Sequence, residues 1–194
     1  MPELPSTARG AATSRRILDA AAEEFAERGI AGARIERVIH AARTNKAQLY
    51  GYFGSKDGLF DAVVADSVDR LTAAVPFDAG DLAGWAVGLY DAYLRRPDLV
   101  RLTTWIRLER RPTGTLFETA DHVRKIAEIA EAQAAGRLRP GDPYDLLTMV
   151  IAMSCAWSPA SSIYTATPDE PDEVHARRRA FLHDCVSRAV TAPA

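Results

Sequence analysis

Cysteine is scarce in this chain: Cys155 and Cys185 are the only two among 194 residues, and they form no CxxC pair. That excludes a disulfide framework and leaves two reduced thiols in apolar helical contexts. Missing too is any run near the ~18 uninterrupted apolar residues of a membrane span. The opening MPELPSTARGAA lacks the basic-then-apolar order of a secretory leader, so a cytoplasmic location with no membrane partner is expected. The histidines, His40, His122, His175 and His183, are scattered, which gives no metal set. No GxSxG, phosphate loop or HExxH occurs, so nothing points to an enzyme or to a bound cofactor. A net charge of −2 gives no global sign of a polyanion partner.

What is present is helical periodicity. With 47% hydrophobic and 26% charged residues the chain can build one large core or two small ones. Apolar residues recur at helical spacing nearly throughout and no stretch alternates with period two, which predicts an all-α fold. A loose arm is expected over the first twelve residues. A first helix then opens near Thr13 or Ser14 as N-cap and runs to Arg28, with Ile17, Leu18, Ala21, Ala22 and Phe25 as one stripe and Gly29 as its end. A second runs from Arg34 to Ala42 through Ile35, Val38, Ile39 and Ala42.

The third helix, about Lys46 to Phe53, opens with a capping-box pattern in which Asn45 caps and Gln48 reaches back. A fourth follows from Lys56 to Val75, with Ser55 as its cap. Later helices are expected at 81–96, 98–111, 116–135, 142–158 and 172–190, punctuated by Pro97, Pro112, Gly136 and the loop SPASSIYTATPDEP. Within the first sixty residues the acids concentrate over 19–27 and the bases nearer 34–56.

On the third helix Leu49 and Phe53 stand at i, i+4 and can pack on the first two helices. Lys46, Ala47, Gln48 and Tyr52 then point outward, with Tyr50 at the edge. An ammonium, a methyl, an amide and a phenol on one convex face suit base edges and phosphates. A helix pair joined by a short turn, with the second helix presenting such groups, is the helix-turn-helix geometry for a major groove. Ser55 and Lys56 at the start of the next helix add an anion site for a backbone phosphate.

These residues carry a resemblance. ILDAAAEEFAERG followed by NKAQLYGYFGSKDGLFDAVV resembles the TetR family of bacterial transcriptional regulators (TetR/AcrR type) at Phe25, Gly29, Leu49, Tyr50, Phe53, Ser55, Lys56, Asp57 and Leu59. The resemblance implies a DNA-binding domain over 13–57 and a helical regulatory domain over 58–194 that binds a small-molecule effector and dimerises. Its DNA-facing set here is Arg34, Thr44, Asn45, Lys46, Ala47, Gln48, Tyr50, Tyr52 and Lys56. Arg34 replaces the threonine usual at the start of the second helix, and Arg43 the glycine usual before the third. Thr44 stands for an apolar residue, and Tyr52 stands where histidine is common.

The implied function is a ligand-responsive repressor that binds a near-palindromic operator in double-stranded DNA as a homodimer. By the family's layout the last two helices would pack on their dimer mates, through stripes of Leu147, Val150, Ile151 and Ser154 and of Val174, Phe181, Leu182, Cys185 and Val186. Candidate effector contacts are Trp85, Tyr93, Trp105, Phe117, Met149, Met153 and Trp157, types that also build plain cores. Glu109 reads as a solvated or arginine-paired carboxylate, and Arg177–Arg179 as a solvated face able to join an interface. The competing reading is a helical small-molecule-binding protein with a degenerate DNA-binding head.

Overall fold

Helices joined by turns make up the described residues of the computed structural model, which are 8–110, 114 and 119–192. They are α1 (Ala8–Gly32), α2 (Ile35–Ala42), α3 (Lys46–Phe53), α4 (Lys56–Ala74), α5 (Leu82–Arg95), α6 (Pro97–Trp105), α7 (Ala120–Ala134), α8 (Pro143–Ser154) and α9 (Asp172–Val190). A π-helical turn, Ile106–Arg110, extends α6. Among the described residues no helix is long and apolar enough to cross a membrane. The chain divides into two units, one of residues up to Arg70 together with the segment from Asp98, the other of Leu71–Pro97 and the chain beyond Thr113.

In the first unit Ile17, Ala21 and Phe25 from α1 meet Val38 and Ala42 from α2, Leu49 and Phe53 from α3, and Leu59, Phe60 and Val63 from α4 in one buried core. Phe25 and Phe60 pack edge to face with centroids 5.0 Å apart. Each such aliphatic or aromatic side chain contributes about 1.5–3 kcal/mol of transfer free energy. The core is what holds α3 at a fixed angle to its neighbours.

Helix α1 begins earlier than the sequence suggests. Thr13 and Ser14 resemble caps, but the Thr13 hydroxyl donates back to the Arg9 carbonyl at 3.0 Å from inside a helix already under way, and Ser14 is buried. The alanines around them favour that extension; residues 1–7 of the expected arm lie outside the described residues. At the other end Gly29 (φ 71°, ψ 179°) kinks the chain before one more turn to Gly32.

A second correction concerns 98–111. The expected single α-helix changes at Ile106 to the wider π turn, a form that often marks a functional position. Glu109 is thereby aimed at the α1 kink, where its two carboxylate oxygens accept the Ile30 and Ala31 N–H groups at 2.8 Å each. It is a clamp rather than a solvated acid. Its neighbour Arg110 pairs with Asp57 and Asp61 of α4 and lies 5.0 Å over the Phe60 ring. Arg101 and Trp105 both donate to the Ala26 carbonyl.

The second unit is built on α5, which packs on α8 and α9 and whose Leu82, Trp85, Ala86, Leu89, Tyr90 and Tyr93 are buried, Trp85 edge-on to Phe77. Leu147 and Val150 of α8 and Leu182 and Val186 of α9 complete that core, while Phe181 of the same α9 stripe is exposed. The Tyr90 hydroxyl lies 2.7 Å from His175 Nδ1 within it. Thr119 caps α7, whose expected start near Leu116 falls outside the described residues.

Candidate nucleic-acid interface

The turn into α3 rests on two unusual positions. Arg34, at the N-cap position of α2, supplies no side-chain cap. Glu24 of α1 does so instead: its carboxylate, 8% exposed, accepts the Arg34 N–H at 2.8 Å and the Arg37 guanidinium, leaving the Arg34 side chain free at the surface. The Arg37 hydrogen bond, against the opposing effect of burial, holds the Glu24 carboxyl below the usual range.

Arg43 closes α2 in the left-handed conformation (φ 50°, ψ 54°), where its Cβ crowds the backbone. The reverse turn is completed by Thr44 N–H on the Ile39 carbonyl, and Arg16 reaches over to the Ala42 carbonyl at 3.2 Å. Arg43→Gly is therefore expected to stabilise the chain by about 1 kcal/mol and raise Tm by about 2–4 °C. A lower Tm in a thermal scan would show that the arginine side chain contributes more than its backbone costs.

Asn45 caps α3 by accepting the Gln48 N–H at 2.9 Å. The reciprocal half of the expected capping box is replaced, because the Gln48 side-chain oxygen accepts the Thr44 hydroxyl at 2.7 Å instead. That bond orients the amide while leaving its N–H₂ and a second oxygen lone pair available. Leu49 and Phe53 are buried beneath, and Lys46, Ala47 and Gln48 are exposed above them. Tyr50 and Tyr52 are half-buried, with Tyr52 edge-on to Phe53. The Lys46 ammonium sits 3.4 Å from Glu36 of α2 and 6.0 Å over the Tyr50 ring.

Ser55 caps α4 through the Gly58 N–H, and Lys56 donates to the Ala31 carbonyl at 3.2 Å. The ammonium thus ties α4 to the α1 kink and keeps its remaining protons for an anion. Arg34, Thr44, Asn45, Lys46, Ala47, Gln48, Tyr50, Tyr52 and Lys56 consequently lie along the turn, on α3 and at the start of α4. The residues that brace them, Glu24 and Glu109, left no local signal in the sequence, since their partners are 10 and 79 positions away.

The effector candidates are dispersed. Trp85 lines a groove of about 350 Å³ with Val75, Asp78, Asp81, Asp91 and Arg95. Tyr93 and Trp157 border a cavity of only about 10 Å³. Burial pushes the Tyr93 hydroxyl and the Cys155 thiol up. Met149 is exposed and Met153 half-buried on α8, Trp105 belongs to the first unit, and Phe117 lies outside the described residues. Among the described residues no three His, Cys, Asp or Glu side chains gather as a metal site.

Comparison with known proteins matches residues 17–63 to the family described as "Bacterial regulatory proteins, tetR family" and residues 81–188 to "Tetracyclin repressor-like, C-terminal domain". The HTH-type transcriptional repressor SCO4008 of Streptomyces coelicolor is 38% identical over 148 residues, covering 74% of this chain and 77% of the relative. The HTH-type transcriptional regulator RutR of Escherichia coli K12 is 31% identical over 155 residues, covering 73% of this chain and 71% of its own. Among solved structures, the transcriptional regulator SCO4942 from Streptomyces coelicolor superposes with a TM-score of 0.75 at 34% identity, over 93% of this chain and 99% of the other. AibR, solved with isovaleryl coenzyme A and operator DNA, shares the fold at 20% identity and a TM-score of 0.56, over 88% of this chain and 98% of its own.

Proposed function

The chain belongs to the tetR family of bacterial regulatory proteins, and from that premise we propose that it is a ligand-responsive repressor which inserts α3 into the DNA major groove as a homodimer. Its role is transcriptional regulation by DNA binding rather than catalysis. The carrying observation is the exposed Lys46, Ala47 and Gln48 face on a helix pinned from below by Leu49 and Phe53.

In this reading Gln48 reads a base edge, Lys46 a guanine or phosphate once it leaves Glu36, and Tyr50, Tyr52, Arg34 and Lys56 the backbone. The recognition helices of a dimer stand about 34–36 Å apart to meet successive major grooves of a near-palindromic site. An effector bound in the second unit lowers affinity by favouring a conformer with the wrong spacing; about 1.4 kcal/mol of differential stabilisation gives a tenfold loss. AibR is a precedent within this fold for a small molecule and operator DNA on one protein.

Selection from random duplex DNA by the purified protein tests the reading, with an inverted repeat as the expected enrichment and none at low salt as the refutation. Gln48→Ala is expected to relax preference at one base position, by about 1–3 kcal/mol of discrimination, while leaving the salt slope intact. Equal loss on specific and random DNA would remove it from the base-reading set.

A further inference from the structure

Over residues 34–56 five basic side chains, Arg34, Arg37, Arg43, Lys46 and Lys56, stand against a single acid, Glu36. Three of the five are engaged within the first unit. Arg37 binds Glu24, Lys46 sits beside Glu36, and Lys56 donates to the Ala31 carbonyl. The guanidinium groups of Arg34 and Arg43 have no hydrogen bond or ion pair among the described residues. Of these two, Arg43 stands outside the DNA-facing set proposed for the chain, and its side chain is exposed.

The fold gives no reason for an arginine at this position. Its left-handed backbone (φ 50°, ψ 54°) is one that glycine adopts freely and that a Cβ strains. The hydrogen bonds of the turn come from the main chain alone, with Arg43 N–H donating to the His40 carbonyl at 3.2 Å and Thr44 N–H to the Ile39 carbonyl at 3.1 Å. A cation at the end of α2 would complement the helix dipole, but Arg16 already reaches the Ala42 carbonyl there. A strained residue whose long charged side chain touches nothing in its own unit points to a partner outside the chain.

We infer that Arg43 grips a DNA phosphate at the rim of the groove that α3 enters. The inference rests on the DNA-binding reading above and adds a contact that a glycine at this turn has no side chain to make. The first turn of α3, with Lys46, Ala47 and Gln48, is the part that meets base edges. Arg43 stands two residues before the Asn45 cap and so lies at the edge of that insertion, where phosphate oxygens are nearer than bases. Its planar fork of N–H donors suits two oxygens of one phosphate, and with no carboxylate to leave it reaches them without breaking an internal pair. The cost of the left-handed turn is thereby offset in the complex and not in the free chain.

Binding of the full-length native chain and of Arg43→Gln, Arg43→Lys and Arg43→Gly tests this by fluorescence anisotropy, from about 50 to 200 mM salt. Two duplexes are used, the inverted repeat recovered by selection and a random sequence of the same length. Arg43→Gln keeps the Cβ and the strained backbone but removes the charge. It is expected to bind both duplexes about tenfold or more weakly and to flatten the slope of log K against log salt by about 2 for a dimer, since each phosphate contact contributes about 0.9. Arg43→Lys is expected to keep the native slope and lose less than about threefold, because the charge remains and the fork is gone. Arg43→Gly should bind as weakly as the glutamine variant while its Tm rises, an opposition that damage to the fold does not produce. Unchanged affinity and slope for Arg43→Gln, on a native chain that binds, would overturn the phosphate contact and leave the DNA-binding reading standing. A loss confined to the selected repeat with the slope intact would overturn it as well, by making Arg43 a base reader. A native chain that binds neither duplex at the lowest salt would overturn the DNA-binding reading itself.

Discussion

Gly29→Ala is expected to destabilise the DNA-binding unit by about 3 kcal/mol or more and to lower Tm by about 6–12 °C. Two costs combine at this position. Its backbone (φ 71°, ψ 179°) lies in a region that is essentially reserved for glycine. An added Cβ would also collide with the Glu109 carboxylate and come within 2.9 Å of the Trp105 ring. Neither neighbour can yield freely, since Glu109 is held by two N–H groups and the Trp105 indole donates to Ala26. Thermal unfolding followed by circular dichroism reads the effect, and a Tm within about 1 °C of the native value would mean that the kink is not strained as described.

The second large effect is expected at Glu109. Its carboxylate is the acceptor for both N–H groups of the turn that follows the kink, and Ile30 is buried, so Glu109→Ala leaves a donor without water or protein partner. Hydrogen bonds to charged groups and orphaned buried donors each count for about 1–3 kcal/mol, which gives about 3 kcal/mol for the loss. Glu109→Gln keeps one acceptor oxygen but turns an N–H₂ toward the other donor, so it should recover about half of that. Urea titration of the two variants separates these outcomes. Alanine and glutamine variants of equal stability would show that hydrogen bonding is not what Glu109 contributes. The two sites should also couple: Gly29→Ala costs less where Glu109 is already alanine, because one of the colliding groups is gone.

Much of the fold was legible because it depends on neighbours in sequence. The starts of α3 and α5, the stops at Pro97 and Gly136, and the buried pair Leu49 and Phe53 follow from capping residues, helix breakers and i, i+4 spacing. The left-handed Arg43 is hinted at only by the family resemblance, which implies a glycine at that position. Local patterns also misled, as when Thr13 and Ser14 imitated an N-cap within a helix that alanines had already begun. The supports of the site were not legible at all. Nothing around Glu109 announces that it will meet Ile30, and nothing around Glu24 announces that it will cap a helix whose own first position is an arginine. The effector contacts fared similarly, because aromatic residues at core spacing say what is apolar and not which of them will border a void. The exposed polar side chains of α3 follow from local spacing; long-range hydrogen bonds decide how firmly that helix is held.

The segment from Asp98 to Arg110 groups with the amino-terminal helices although other residues separate them in the chain. During synthesis α1 to α4 therefore emerge from the ribosome before Arg101, Trp105, Glu109 and Arg110 exist to brace them. Until that late segment arrives, the Ala26 carbonyl and the Ile30 and Ala31 amides must turn to water, and the nascent head stays provisional. A fragment cut after α4 inherits the same incompleteness permanently.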